Sequence, residues 1–447
     1  MLAFAGRTGP AASGPRRANG IVIAAPRSGS GKTLVTLGLL AALRRRGLAV
    51  APAKTGPDYI DARILEHVAG NPTVNLDPWS MKPGELLRLA NRHAAGADLL
   101  LVEGVMGLFD AAADGNGSTA DLAAALRLPV ILVVDAEKQS HSVAALVQGF
   151  ARFRPDVTVA GVILNRVATT RHEALLRGAL AGIGIPVLGA LPRRDSFRLP
   201  ERHLGLVLPG EIAGFDEVVE AARLAIEEFV DLNLLLGLSE ALPTATDDGA
   251  APLLAPLGQR VAIAHDEAFA FIYQHLVEDW REAGAEISWF SPLRDEAAQM
   301  NSDAVYLPGG YPELYGEKLA SAARFQSSLI AAKDRGALIY GECGGYMVLG
   351  EQMIDAAGMP YKMASLLPIS TDISRAKRTL GYRRLTQTGS LPWPRNLLGH
   401  EFHYSSSSAV GATPLFGAHD AAGAELPPMG SVVSRVMGSY AHVIGPA

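Results

Sequence analysis

One cysteine, Cys343, stands in 447 residues. That count excludes an intramolecular disulfide framework and suits a reducing compartment. No uninterrupted apolar stretch approaches the roughly 20 residues that a membrane-spanning helix needs. A basic excess is also missing. The formal net charge of −5 argues against a mainly electrostatic nucleic-acid footprint. The first twenty residues are rich in Gly, Ala, Pro and Arg and have no apolar centre, so no signal peptide is expected. The absences together predict a cytoplasmic protein with neither nucleic-acid nor membrane partners.

What is present is globular: 49% hydrophobic and 19% charged residues, at a length that favours two domains of roughly 200 residues each. From residue 21 to about 230, the short apolar runs "IVIAAP", "LAVAPAKT", "DLLLVEGV", "LPVILVVDA", "VAGVILNR" and "IPVLGALP" alternate with helix-like segments such as Leu34–Arg46, Ser140–Phe153 and His172–Ile183. Continuous rather than alternating hydrophobicity marks strands buried on both faces, hence an α/β doubly wound parallel sheet. Residues 242–259 are small, polar and proline-bearing and read as a linker. A second α/β pattern then restarts, with a tail that alternates like antiparallel strands. The expected plan is a flexible N-terminus (1–19), a first domain (20–241), the linker (242–259) and a second domain (260–447).

"APRSGSGKT" follows the first strand and precedes an amphipathic segment, the context of a phosphate-binding loop, although Pro26 replaces the usual first glycine. Backbone N–H groups from Ser28, Gly29, Ser30 and Gly31 are expected to cradle phosphates, with Lys32 on the β/γ-phosphates and Thr33 on Mg²⁺. Two further strand ends are acidic. "KTGPDYID" places Lys54, Asp58, Tyr59 and Asp61 there, and "LVEGVMGLFD" places Glu103 and Asp110. Strand carboxyl ends form the ligand crevice of such sheets, so Glu103 is a candidate Mg²⁺ ligand and the others candidates for substrate binding and activation. Ordinary solvated loop carboxylates are the competing reading. Asn165, ending "GVILN", is placed to read an adenine edge or simply to close a turn.

"YGECGGYMVLG" sets Cys343 between an apolar strand and an apolar helix, a nucleophile elbow. Such a turn exposes the sulfur and aims a helix N-terminus at it. The Gly344 N–H and the glycines of "LPGGYPE", Gly309 and Gly310, are candidate oxyanion donors. A buried structural cysteine is the alternative, disfavoured by the flanking glycines and by the charged Glu342. For the base, His400, His403 and His442 all remain open on spacing alone.

These motifs, in this order, resemble those of the cobyrinic acid a,c-diamide synthases, glutamine-dependent amidotransferases of corrinoid biosynthesis. The resemblance spans nearly the whole chain from residue 20. It implies a dethiobiotin synthetase-like N-terminal domain with ATP and Mg²⁺, and a class I glutamine amidotransferase-like C-terminal domain. It also implies Cys343 as nucleophile and His442 as its base. Class I glutaminases carry a glutamate two residues after that histidine, where this chain has Ile444, so a Cys–His dyad is expected. Cobyric acid synthases have a different phosphate loop and lack "GPDYID". Nickel-sirohydrochlorin a,c-diamide synthases share the motifs, and hydrogenobyrinic acid, cobyrinic acid and nickel sirohydrochlorin all remain open as substrates. A regulatory P-loop ATPase with a relict glutaminase is the rival from another class. Glu201, Arg202 and His203 either face substrate carboxylates or lie in an ordinary solvated loop. The oligomeric state stays open, a homodimer included.

Overall fold

The structure is a computed structural model, describing residues 17–194, 201–202, 205–206, 214–245, 252–375, 378–409 and 411–447. In the first half, strands β1 (Asn19–Ala24), β2 (Val50–Thr55), β3 (Val74–Leu76), β4 (Leu99–Glu103), β5 (Val130–Asp135), β6 (Val159–Val167) and β7 (Val187–Pro192) form one sheet. Its order is β3-β2-β4-β1-β5-β6-β7, with every pairing along it parallel. Each apolar run named above is one of these strands. Strand β3 had no such signal, because only three residues pair there, between Pro72 and Pro78. The crossover after β1 leads one way along the sheet and the crossover after β4 the other. The carboxyl ends of β1 and β4 therefore open the crevice where such folds bind ligands.

Helices α1 (Lys32–Arg45), α2 (Tyr59–Ala69), α3 (Pro83–His93), α4 (Thr119–Leu126), α5 (Ser142–Arg152), α6 (Thr170–Leu180) and α7 (Phe215–Phe229) cover the two faces. Helix α1 is buried almost throughout from Leu34 to Leu43, pressed between the sheet and α7. The contact is close enough that a β-carbon at Gly38 would lie 2.9 Å from the Ala222 carbonyl oxygen. A short helix α8 (Leu232–Gly237) follows, after the two-residue strands β8 (Glu201–Arg202) and β9 (Gly205–Leu206). His203 lies outside the described residues. Strand β10 (Glu240–Ala241) returns antiparallel to β1.

The second half contains β11 (Arg260–Ala264), α9 (Gln274–Glu282), β12 (Glu286–Phe290), β13 (Ala304–Leu307), α10 (Gly316–Ser321), α11 (Ala323–Asp334), β14 (Leu338–Glu342) and α12 (Gly344–Leu349). Three short strands follow, β15 (Gln352–Ile354), β16 (Pro360–Lys362) and β17 (Ile369–Asp372). The tail comprises β18 (Thr379–Gln387), β19 (Asn396–His403), β20 (Ser406–Ala409), β21 (Phe416–Asp420), β22 (Glu425–Met429), β23 (Ser431–Val433), β24 (Val436–Ser439) and β25 (Ala441–Pro446). A sheet ordered β12-β11-β13-β14-β24-β23 is parallel except at its last pair, and a second sheet, β22-β21-β18-β19-β25, is antiparallel throughout.

Part of the expected linker is packed rather than solvated. Leu253, Leu254 and Leu257 are buried. The Asp279 carboxylate accepts from the Leu253 N–H, and the Trp280 indole donates to the Leu254 carbonyl. The two halves are then joined by ion pairs from Arg88 and Arg92 to Asp279. They are also joined by Tyr382, which stacks on Trp79 at 4.3 Å and donates to Asp77 at 3.1 Å. Among the described residues, no helix is long and apolar enough to cross a membrane.

Candidate active site

The loop after β1 turns through Gly29 (φ 79°) and Gly31 (φ 88°), a left-handed conformation that suits residues without a β-carbon. Gly31 caps the N-terminus of α1, which directs that helix at the loop's concavity. Ser28 is exposed and Ser30 is buried, the Ser30 hydroxyl donating to the Arg27 carbonyl at 2.9 Å. Asn165 does not present its amide outward. Its Nδ2 donates to the Ser30 carbonyl, and its Oδ1 accepts from the Arg166 N–H, each at 2.9 Å. The residue expected to read adenine thus clamps the loop itself.

Glu103, fully buried at the end of β4, is the hub of this end of the site. Its Oε1 accepts from the Thr33 hydroxyl at 2.7 Å and from the ammonium groups of Lys32 and Lys54, each at 3.2 Å. Strand register explains one of these contacts, since Lys54 on β2 lies directly opposite Glu103. Burial would raise the Glu103 carboxyl, but Lys54, Lys32 and the Thr33 hydroxyl outweigh it and hold the group below the usual range. Its Oε2 is buried with no partner. Burial and the neighbouring Lys54 lower Lys32, with Glu103 opposing. Lys54 also pairs with Asp61. Burial and Asp58 push the Asp61 carboxyl up to about 6, against the pull of Lys54. Asp58 caps α2, accepting from the N–H groups of Ile60 and Asp61 at 2.9 and 3.1 Å. Asp110 is not brought to this cluster. It is exposed and turned back into its own loop, accepting from the Gly107 N–H at 2.8 Å.

At the other end, β14 runs into Cys343, whose φ of 48° and ψ of −106° make a strained turn before α12 begins at Gly344. The Cys343 N–H donates to the Ser439 carbonyl at 2.8 Å, which ties the elbow to β24. The Gly344 N–H, first in α12, has no carbonyl one turn behind it. The "PGG" turn closes on the same spot: a β-carbon at Gly309 would sit 2.3 Å from His442 Cε1 and 3.3 Å from Cys343 Cβ. A β-carbon at Gly344 would sit 3.1 Å from the Gly310 nitrogen.

Of the three histidines, His442 meets the thiol. It is buried, and although burial alone would lower it, the neighbouring Cys343 and Glu342 push it up to about 10. His403 spends both ring nitrogens on Glu401 and Ser405. His400 sits opposite His442 in the β19–β25 ladder, and burial, His442 and Arg383 lower it to about 3.

A carboxylate that the sequence reading did not single out as a partner of His442 stands beside the ring. Glu342 is 1% exposed, and its Oε2 lies 3.7 Å from His442 Nδ1. Tyr306, Tyr340 and the Val443 N–H fix the carboxylate at 2.7, 3.0 and 3.1 Å. The clue in the sequence was a charged residue ending an otherwise apolar strand directly before the nucleophile.

Tyr59, the first residue of α2, crosses to the second half and packs over His442, ring centroids 4.9 Å apart. It also stacks on Tyr273 at 4.3 Å and Phe271 at 5.4 Å. Beside it lies a cavity of about 790 Å³ that reaches from Asp58 and Asp61 to His400 and His442, walled by Met106 and Tyr382 among others. Residues that follow β2 and the imidazole of His442 therefore line one cavity.

Residues 21–207 match the CobQ/CobB/MinD/ParA nucleotide binding domain, and residues 260–446 match the CobB/CobQ-like glutamine amidotransferase domain. Over 95% of its length the chain is 54% identical to the hydrogenobyrinate a,c-diamide synthase of Brucella suis biovar 1 (strain 1330), covering 98% of that protein. The proteins of the same name from Rhizobium meliloti (strain 1021) and Rhodobacter capsulatus are 52% and 46% identical over 95% of this chain, with 99% and 98% of each covered. With both domain families matched in order and this identity running along almost the whole chain, it belongs to the hydrogenobyrinate a,c-diamide synthase family.

Proposed function

We propose that this chain amidates the a and c acetate carboxylates of hydrogenobyrinic acid with ATP and glutamine, in the cytoplasm. One observation carries the reading: the inter-domain cavity joins the Asp58–Asp61 corner, beside the phosphate loop, to the base of the buried thiol. Its apolar walls, including the exposed Met106 and Leu380, suit a macrocycle face, and Arg378 and Arg383 on its lining suit peripheral carboxylates. The names of the relatives favour the metal-free macrocycle over cobyrinic acid and nickel sirohydrochlorin.

A carboxylate is a poor acyl donor. Attack of its oxygen on the γ-phosphorus of ATP expels ADP and leaves an acyl phosphate, from which ammonia displaces inorganic phosphate. The loop N–H groups and Lys32, which contacts the Glu103 carboxylate, would hold the polyphosphate. Mg²⁺ fits the unpartnered Oε2 of Glu103 together with the Thr33 hydroxyl. When bound, the ion would offset the charge of the phosphates. Lys54 would keep Asp61 and Glu103 compensated while the anionic acceptor approaches.

In the second half, the Cys343 sulfur attacks the glutamine amide carbon, and the oxyanion is taken up by N–H groups of Gly344 and Gly310. His442 hands its proton to the departing ammonia. Water then cleaves the thioester to glutamate. Glu342 holds His442 in the orientation that this proton transfer requires. Mass spectrometry of products from the three macrocycles with ATP and glutamine tests the assignment. Diamide from hydrogenobyrinic acid supports it, and diamide from nickel sirohydrochlorin alone would overturn it.

A further inference from the structure

The thiol opens onto a narrow cleft between the "PGG" turn and β19, whose lining includes Tyr311, Glu313, Phe402, His403 and Tyr404. Among the described residues, the carboxylates around this cleft differ in how they are satisfied. Glu342 and Glu401 are hydrogen-bonded, and both nitrogens of His403 are engaged. Glu313 stands apart. It sits in the tight turn Pro312–Tyr315 that follows the two glycines, and its Oε2 is buried with no hydrogen-bond partner. Burial pushes its carboxyl up to about 7. Among the described residues, no lysine or arginine lines the cleft.

A buried carboxylate without a counter-ion is costly unless a bound group supplies one. The ligand that reaches Cys343 in the proposed function is glutamine, and its reacting end is a neutral amide. Its only cationic group is the α-ammonium at the far end of the side chain. We infer that Glu313 receives the α-ammonium of glutamine and thereby selects the free amino acid over amides that lack this group. The inference rests on the proposed glutaminase reaction and adds to it the feature by which the donor is recognised. The same turn supplies Gly309 and Gly310 beside the thiol. Ammonium recognition and oxyanion binding are therefore built on one rigid segment, which fixes the distance between the two ends of the substrate.

The test crosses two substrates with two proteins. Release of ammonia from L-glutamine and from 4-carbamoylbutanoate, which is glutamine without its α-amino group, is measured with ATP and acceptor present, for the native enzyme and for Glu313→Gln. The native enzyme should prefer glutamine by roughly 10²–10³-fold in kcat/KM, the scale of a buried charge-assisted contact. In Glu313→Gln that preference should collapse to within about 3-fold, mainly through a higher KM for glutamine, while ammonia-dependent amidation stays at the native rate. Native enzyme that hydrolyses both amides equally well would overturn the inference without any variant. An undiminished preference in Glu313→Gln would also overturn it. Native enzyme that releases no ammonia from glutamine would instead sink the proposed function.

Discussion

The Glu342 carboxylate and the His442 imidazole face each other at 3.7 Å, one fixed immediately before the nucleophile and the other on the last strand. Three donors pin the carboxylate, so the ring must adapt to it. Glu342→Gln keeps the shape and removes the charge. Glutamine-dependent amidation should fall by roughly 10²–10⁴-fold, the range for losing a positioned proton carrier. Ammonia-dependent amidation should be unchanged. Parallel loss of both would reduce Glu342 to a folding role.

Cys343→Ser should abolish amidation from glutamine and spare amidation from ammonia, because the phosphate-loop half performs its chemistry without the thiol. The comparison is made on the same folded sample with each nitrogen source. Equal losses would break the assignment of the two sites.

For the nucleotide end, Lys32→Ala should stop amidation from both nitrogen sources. Glu103→Gln should raise the Mg²⁺ concentration needed for half-maximal rate about tenfold or more, since one charged ligand becomes neutral. An Mg²⁺ titration that superposes on the native curve would remove Glu103 from the metal.

The imidazole of His442 is pushed up to about 10 from an ordinary value of 6.5. A group raised on folding adds stability that is fully present below the unfolded value and is lost as pH climbs through the folded one. The melting temperature of the native protein should therefore exceed that of His442→Gln most at pH 6, and the gap should close towards pH 10. A gap that is constant across this range would mean that the ring is neutral in the folded protein.

Much of this was legible because burial writes itself into composition. The β4 segment "LLLVE" is apolar until its last residue, and that residue is Glu103, with Lys54 directly opposite on β2. The elbow was visible as glycines around a lone cysteine. Other features depended on contacts that spacing does not encode. Three histidines were equivalent along the chain and separated only when β19 and β25 paired. Glu342 was overlooked because the usual carboxylate lies after the histidine, whereas here β14 and β25 bring it from the other side. Asn165 and Asp110 were assigned to ligands because their strand ends face the crevice. In the fold the Asn165 amide bonds the Ser30 carbonyl and the Arg166 N–H, the turn role that was its other reading, and one oxygen of the exposed Asp110 accepts from the Gly107 N–H.

Tyr59 belongs by chain to the half that activates the acceptor, yet its ring forms one wall of the compartment around His442. Helix α2 starts at that residue, and the cap of the helix, Asp58, lies in the acceptor cavity. The two catalysts are consequently not interchangeable parts. A chimera that joined this glutaminase half to a foreign activating half would keep the thiol, the imidazole and both domain cores, and would still leave that wall open to bulk water, where ammonia is protonated and escapes.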